Sequence, residues 1–188
     1  GSIAFAKKEY DEALQRFKSV IDSGDTKFLE ESVARTAEMQ YLTQDFPAAL
    51  ETFKRLQVIA ENPENKQAAR LGIMRCALQT GQQEEAQLAA NELLKDPKLS
   101  PEVEAEARYI RAKAYIDHKQ PAKALEDLKV LSKDTRTAHG AEAKYLLAQY
   151  FYDTKDDKNA EKILEDFAKN GTPHQYWLAR GFILWADI

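Results

Sequence analysis

One cysteine, Cys76, stands in 188 residues, so no disulfide can form within the chain and the redox compartment is left open. Glycine and proline are scarce, at seven and six residues, as suits helices joined by short connections. A basic excess is lacking too. The formal net charge is -4, and no basic run or stripe provides the electrostatic footprint of a nucleic-acid binder. No uninterrupted apolar stretch nears the roughly 20 residues of a membrane-spanning helix. No segment alternates apolar and polar residues as a half-buried strand does. HExxH, glycine-rich phosphate loops and GxSxG are also missing.

What remains is helical material. Apolar residues make up 44% and charged residues 31%, a folded rather than disordered composition. Ala, Glu, Lys, Leu and Gln dominate, and all favour helix. Apolar residues recur at spacings of three and four.

The same pattern then repeats along the chain. YDEALQRFKSV, FPAALETFKRL, QEEAQLAANELL, PAKALEDLKVL and DKNAEKILEDF place a small residue at Ala13, Ala49, Ala86, Ala124 and Ala160, with gaps of 36, 37, 38 and 36. Four residues on come Phe17, Phe53, Ala90, Leu128 and Leu164, and three further on Val20, Leu56, Leu93, Leu131 and Phe167. Steps of four and then three keep all three positions on one helical face. Twelve residues upstream of each alanine stand Gly1, Ala37, Met74, Ala112 and Ala148. Met74 departs from the small-residue rule and Gly72 lies two residues before it, so the packing there is expected to differ locally. KKE, TQD, QTGQQ, DHKQ and TKDDK are short polar turns of the kind that join antiparallel helices. ENPEN, KDPKLSP and KNGTPHQ read as the loops between pairs.

Five phased copies resemble the tetratricopeptide repeat (TPR), a helix pair of about 34 residues. Tyr10, Phe46, Ala13, Ala49, Ala124, Ala160, Phe17 and Phe53 match its motif. The resemblance implies an all-α fold, a right-handed α-solenoid of antiparallel helix pairs. One solenoid is expected over 1–188, with approximate repeats 1–27, 28–64, 65–100, 101–137 and 138–172 and a half repeat 173–188. Gaps longer than 34 look like those of bacterial cell-envelope members, which favours the periplasm or envelope over the cytoplasm. Tyr176-Trp177-Leu178-Ala179 repeats Tyr145-Leu146-Leu147-Ala148, so the last helix reads as half of a sixth repeat. Gly1 falls at a first-helix small position, unless Gly1-Ser2 is a cloning remnant. The expectation is a piece of a longer array whose exposed terminal helix favours dimerisation.

Chemistry is thin on this surface. His118, His139 and His174 lack metal-ligand spacing. Pairs such as Glu84-Glu85 and Asp156-Asp157 read as solvated faces, and Cys76 as a small buried apolar residue. No cofactor, no metal and no catalytic residue is expected. The resemblance implies a groove lined by first helices that takes a protein or peptide partner. The repeat phase places Arg35, Glu38, Tyr41 and Leu42 there, then Leu71, Arg75 and Leu78, then Tyr109, Ile110, Lys113 and Ile116. Further along follow Tyr145, Leu146, Gln149 and Tyr152, and finally Tyr176, Trp177, Arg180 and Leu184. Tyr, Trp and Arg are the residues that carry interface energy. Family members that hold chaperone tails use a lysine–asparagine clamp. Its positions here hold Glu31 and Arg35, Ala68 and Gly72, Glu106 and Ile110, so that partner is not expected. The reading is a non-catalytic interaction scaffold. The alternative is a regulatory or targeting segment of a larger multidomain enzyme.

Overall fold

A computed structural model describes residues 12–13, 15–19, 21–22 and 26–188. The expectations for Gly1, Tyr10 and Val20 lie outside the described residues. Nine helices are complete among those described: α1 (Thr26–Leu42), α2 (Phe46–Ile59), α3 (Pro63–Gln79), α4 (Gln83–Leu93), α5 (Pro101–Asp117), α6 (Pro121–Leu131), α7 (Ala138–Asp153), α8 (Asp157–Asn170) and α9 (Gln175–Ala186). Residues 15–19 are helical as well, and no described residue lies in a strand. The chain is an all-α solenoid of paired helices. It divides into two compact units, Gly1–Pro97 with α1–α4 and Lys98–Ile188 with α5–α9.

The helices begin where local chemistry tells them to. Asp45, Asn62, Ser100, Thr137 and Asp156 each accept, on a side-chain oxygen, a backbone N–H of the first turn. Proline stands in the first turn of α2, α3, α5 and α6, where its missing N–H is harmless. Glu30 of α1 adds a cap from outside, accepting from the backbone N–H of Glu61 at 3.0 Å and of Asn62 at 3.3 Å and from Asn65 Nδ2 at 2.7 Å. These donors hold its carboxyl below the usual carboxylate range and tie α1 to the start of α3.

The turn inside each pair has one shape. Gln44, Gly81, Lys119 and Lys155 all have positive φ, between 59° and 76°. Each donates its N–H to the carbonyl three residues back, and the next residue donates to the carbonyl five residues back, as in Gln44 to Tyr41 and Asp45 to Gln40. This is the Schellman closure of a helix C-terminus. It recurs at intervals of 37, 38 and 36 residues, in step with the alanines.

Those alanines mark where paired helices meet. Ala49, Ala86, Ala124 and Ala160 are fully buried, and their partners Ala37, Met74, Ala112 and Ala148 are no more than 1% exposed. Phe53, Leu56, Ala90, Leu93, Leu128, Leu131, Leu164 and Phe167 are buried at the four-then-three spacing. Each large side chain so buried contributes roughly 1.5–3 kcal/mol. Gly72, two residues before Met74, lets the Phe53 ring approach the helix backbone: a Cβ there would sit 2.4 Å from that ring. Gly140 serves a similar purpose at the start of α7, where a Cβ would lie 2.0 Å from the Asp134 carbonyl oxygen.

One charge is buried within a pair. Asp127 of α6, 1% exposed, accepts two bonds at 2.7 Å from Arg111 and one at 2.8 Å from Arg108, both on α5. Arg108 also donates to Glu104 at 2.8 Å. The paired carboxylate therefore keeps its acceptor oxygens satisfied, as a buried charge requires.

The shared turn gives a two-sided test. Left-handed backbone costs a residue with a Cβ about 1–2 kcal/mol, and a Cβ at Gly81 would touch nothing within 4 Å. Gln44→Gly is expected to raise the urea-unfolding free energy by up to about 1 kcal/mol, and Gly81→Ala to lower it by a similar amount. Equal signs for the two changes would contradict the shared turn geometry.

Candidate functional site

In the second unit, α7 and α9 bring Tyr145, Gln149, Tyr176, Trp177 and Arg180 together. The Arg180 guanidinium carbon lies 4.6 Å from the Tyr145 ring centroid, 5.9 Å from that of Tyr176 and 6.0 Å from that of Trp177. Its Nη2 donates to the Tyr145 hydroxyl at 2.9 Å and its Nη1 to the Tyr176 hydroxyl at 3.3 Å. The Tyr145 hydroxyl donates in turn to Gln149 Oε1 at 2.8 Å, and Gln149 Nε2 donates to Asp153 at 2.9 Å. The Trp177 ring stands 4.9 Å from Tyr176, edge to face, and 5.7 Å from Tyr145. Tyr176 is 63% exposed and Arg180 is exposed, Trp177 is half-buried, and Tyr145 is buried at 6%. Stacking and hydroxyl bonds thus fix the guanidinium beside an open aromatic face. Tyr152 is half-buried, with Lys155 Nζ 5.5 Å from its ring centroid. Phe182 and Ile183 of α9 are 50% and 66% exposed, while Leu184 is buried.

Between α5 and α7 the side chains close on one another. Glu142, 8% exposed, accepts from the Tyr109 hydroxyl at 2.9 Å and from Lys113 Nζ at 3.0 Å. His139 stacks on Tyr109 with centroids 3.9 Å apart and an interplanar angle of 13°. Burial first, and then the Glu142 carboxylate, raise the Tyr109 phenol well above the ordinary tyrosine range. Ile110 is buried as well. Tyr109 and Lys113 therefore join α5 to α7.

In the first unit, α1 and α3 face each other across open space. Glu38, Tyr41, Leu42, Ala68, Leu71, Gly72 and Arg75, with Phe53 of α2 behind them, line an open cavity of about 310 Å³. Arg35, on the exposed side of α1, donates to Glu31 at 2.7 Å and to Glu38 at 3.0 Å. The Tyr41 ring meets Phe46 edge to face at 5.5 Å. Leu42 and Leu78 are 64% and 45% exposed.

Solved structures share this fold. A provisional kinesin light chain from Podosopora anserina, built of nearly identical TPR-like repeats, matches with 17% identity and a TM-score of 0.55 over 87% of each chain. A second crystal structure of that protein gives 16% identity and 0.54, over 85% of this chain and 86% of that one. A tetratricopeptide repeat protein from Parabacteroides merdae matches with 18% identity and 0.55, over 96% of this chain and 72% of its own. The chain has the TPR-like fold. No family model and no curated protein matches the sequence.

Among the described residues of this TPR-like chain, no group of three or more His, Cys, Asp or Glu could hold a metal ion, and no helix is long and apolar enough to cross a membrane. Cys76 is fully buried and burial pushes its thiol up to about 11, so it remains a protonated, apolar packing group at neutral pH. The repeat phase named the helix faces but not Glu142, Phe53, Ala68 or Gly72 as the residues that close one site and open another. Two small residues one helical turn apart, Ala68 and Gly72, were the visible signal for the opening.

Removing the Glu142 carboxylate strands two donors. Glu142→Ala is expected to cost about 1–3 kcal/mol, read as a lower urea midpoint at unchanged slope. An unaltered midpoint would mean that Tyr109 and Lys113 are not held between α5 and α7.

Proposed function

We propose that this chain is a non-catalytic protein–protein interaction scaffold in which the first helices of each unit, α1 and α3 in one and α5, α7 and α9 in the other, offer surfaces for a peptide or a partner segment. Its TPR-like neighbours support an interaction scaffold in general terms. The observation that carries the finer reading is the cluster around Arg180. Its cation is stacked and hydrogen-bonded before any partner arrives, so binding loses little side-chain entropy. Tyr176 and Trp177 add wide contact area with few rotatable bonds. A partner segment carrying an acidic group beside an apolar one suits that surface, since the guanidinium fork pairs well with carboxylates.

Peptides selected from a random display library on the intact chain provide the probe. Tyr176→Ala and Arg180→Ala are each expected to weaken the selected peptides by about tenfold or more in fluorescence anisotropy, the loss typical of an interface hot spot. Val58→Ala, at an 84% exposed position of α2, is expected to leave affinity unchanged. Full affinity in both Tyr176→Ala and Arg180→Ala, with circular dichroism intact, would contradict the reading.

A further inference from the structure

The cavity between α1 and α3 exists because of two missing side chains. The repeat spacing aligns Ala68 and Gly72 of α3 with Glu142 and Leu146 of α7. In α7, Glu142 reaches across to Tyr109 and Lys113 and closes the gap to α5. In α3, Ala68 is too short to cross, and the bare backbone of Gly72 lets the Phe53 ring lie flush beneath it. The result is an open cavity of about 310 Å³ that reaches the largely buried Phe53 ring at its base. That is room for one large apolar side chain.

The walls carry opposite polarity. Glu38 stands on α1 and Arg75 on α3. The Glu38 carboxylate accepts one bond from Arg35, and a carboxylate has capacity for several. A guanidinium can donate to several acceptors. An amino acid in an extended chain presents one free N–H and one free C=O, whereas a helix has used both internally. An acceptor on one wall and a donor on the other therefore match an extended peptide and leave a helical partner's backbone unable to pair with either.

Building on the scaffold reading above, we infer that this cavity is a socket for one large apolar side chain, of the Leu, Met or Phe class, in an extended peptide. The anchored residue directs its N–H to Glu38 and its C=O to Arg75. Blocked pentapeptides of sequence Gly-Gly-Xaa-Gly-Gly are the probe, with Xaa either Leu or Ala, titrated into the whole chain and followed by amide resonances. The Leu peptide is expected to shift the Gly72 and Leu71 amides saturably. The Ala peptide is expected to bind about tenfold more weakly or worse, the loss that follows from burying a methyl group in place of an isobutyl group. Ala68→Leu, which fills the space from within, is expected to abolish the preference. Equal responses to the two peptides, no saturable shift at Gly72, or an unchanged preference in a folded Ala68→Leu would overturn the inference. The comparison of the two peptides on the unaltered chain decides it even if Ala68→Leu fails to fold. An indifferent cavity beside intact Tyr176-dependent binding removes this inference alone. Loss of Tyr176- and Arg180-dependence with a firm Leu preference at Gly72 removes the Arg180 reading instead.

Discussion

Each helix pair depends on the close approach of two backbones at a small residue. Ala49, Ala86, Ala124 and Ala160 have no exposed surface, so their methyl groups occupy the contact itself. Interiors packed to this density have no slack for an added methylene. The four-then-three residues beside each alanine are buried with it, and turns of one shape reverse the chain inside each pair. Once that contact is fixed, the remaining faces of each first helix are free to vary. One unit uses this freedom to close its helices on each other, and the other leaves a cavity.

The first helices accordingly differ in what they leave open. Between α5 and α7, a buried carboxylate takes up the donors Tyr109 and Lys113, and an acceptor with two charge-assisted or hydroxyl partners is costly to expose. Between α1 and α3, Ala68 and Gly72 leave the Phe53 ring as a floor. At α9, the aromatic and cationic groups order each other while Tyr176 stays open to solvent. Rigid aromatic surface with a fixed cation is the kind of feature that concentrates binding energy at interfaces.

Much of this was legible in the sequence. Fully buried alanines at steps of 36 to 38 residues need only a period to be found, and helix-forming composition with polar turns settles the class. Gly72 was visible too as a glycine inside a helical pattern, where a close approach such as that of the Phe53 ring is the physical reason to expect one. The exposure of individual face residues was not legible. Periodicity assigns Tyr145 and Tyr176 to the same kind of face, yet Tyr145 is covered by Arg180 and Trp177 while Tyr176 is exposed. Phase gives the direction of a side chain, and only the neighbouring helix decides whether that direction is covered. Tyr109 and Lys113 show the same limit, because the residue that captures them, Glu142, lies some thirty positions away and resembles any other surface glutamate.

The close-contact constraint can be tested on a single helix. Ala124 is fully buried and Ala122, two residues earlier on α6, is exposed. Thermal and urea unfolding of Ala124→Leu and Ala122→Leu compare the same added volume on the two faces. The account predicts a loss of about 1–3 kcal/mol for Ala124→Leu and little change for Ala122→Leu. Coincident unfolding curves for Ala124→Leu and the unaltered chain would contradict it.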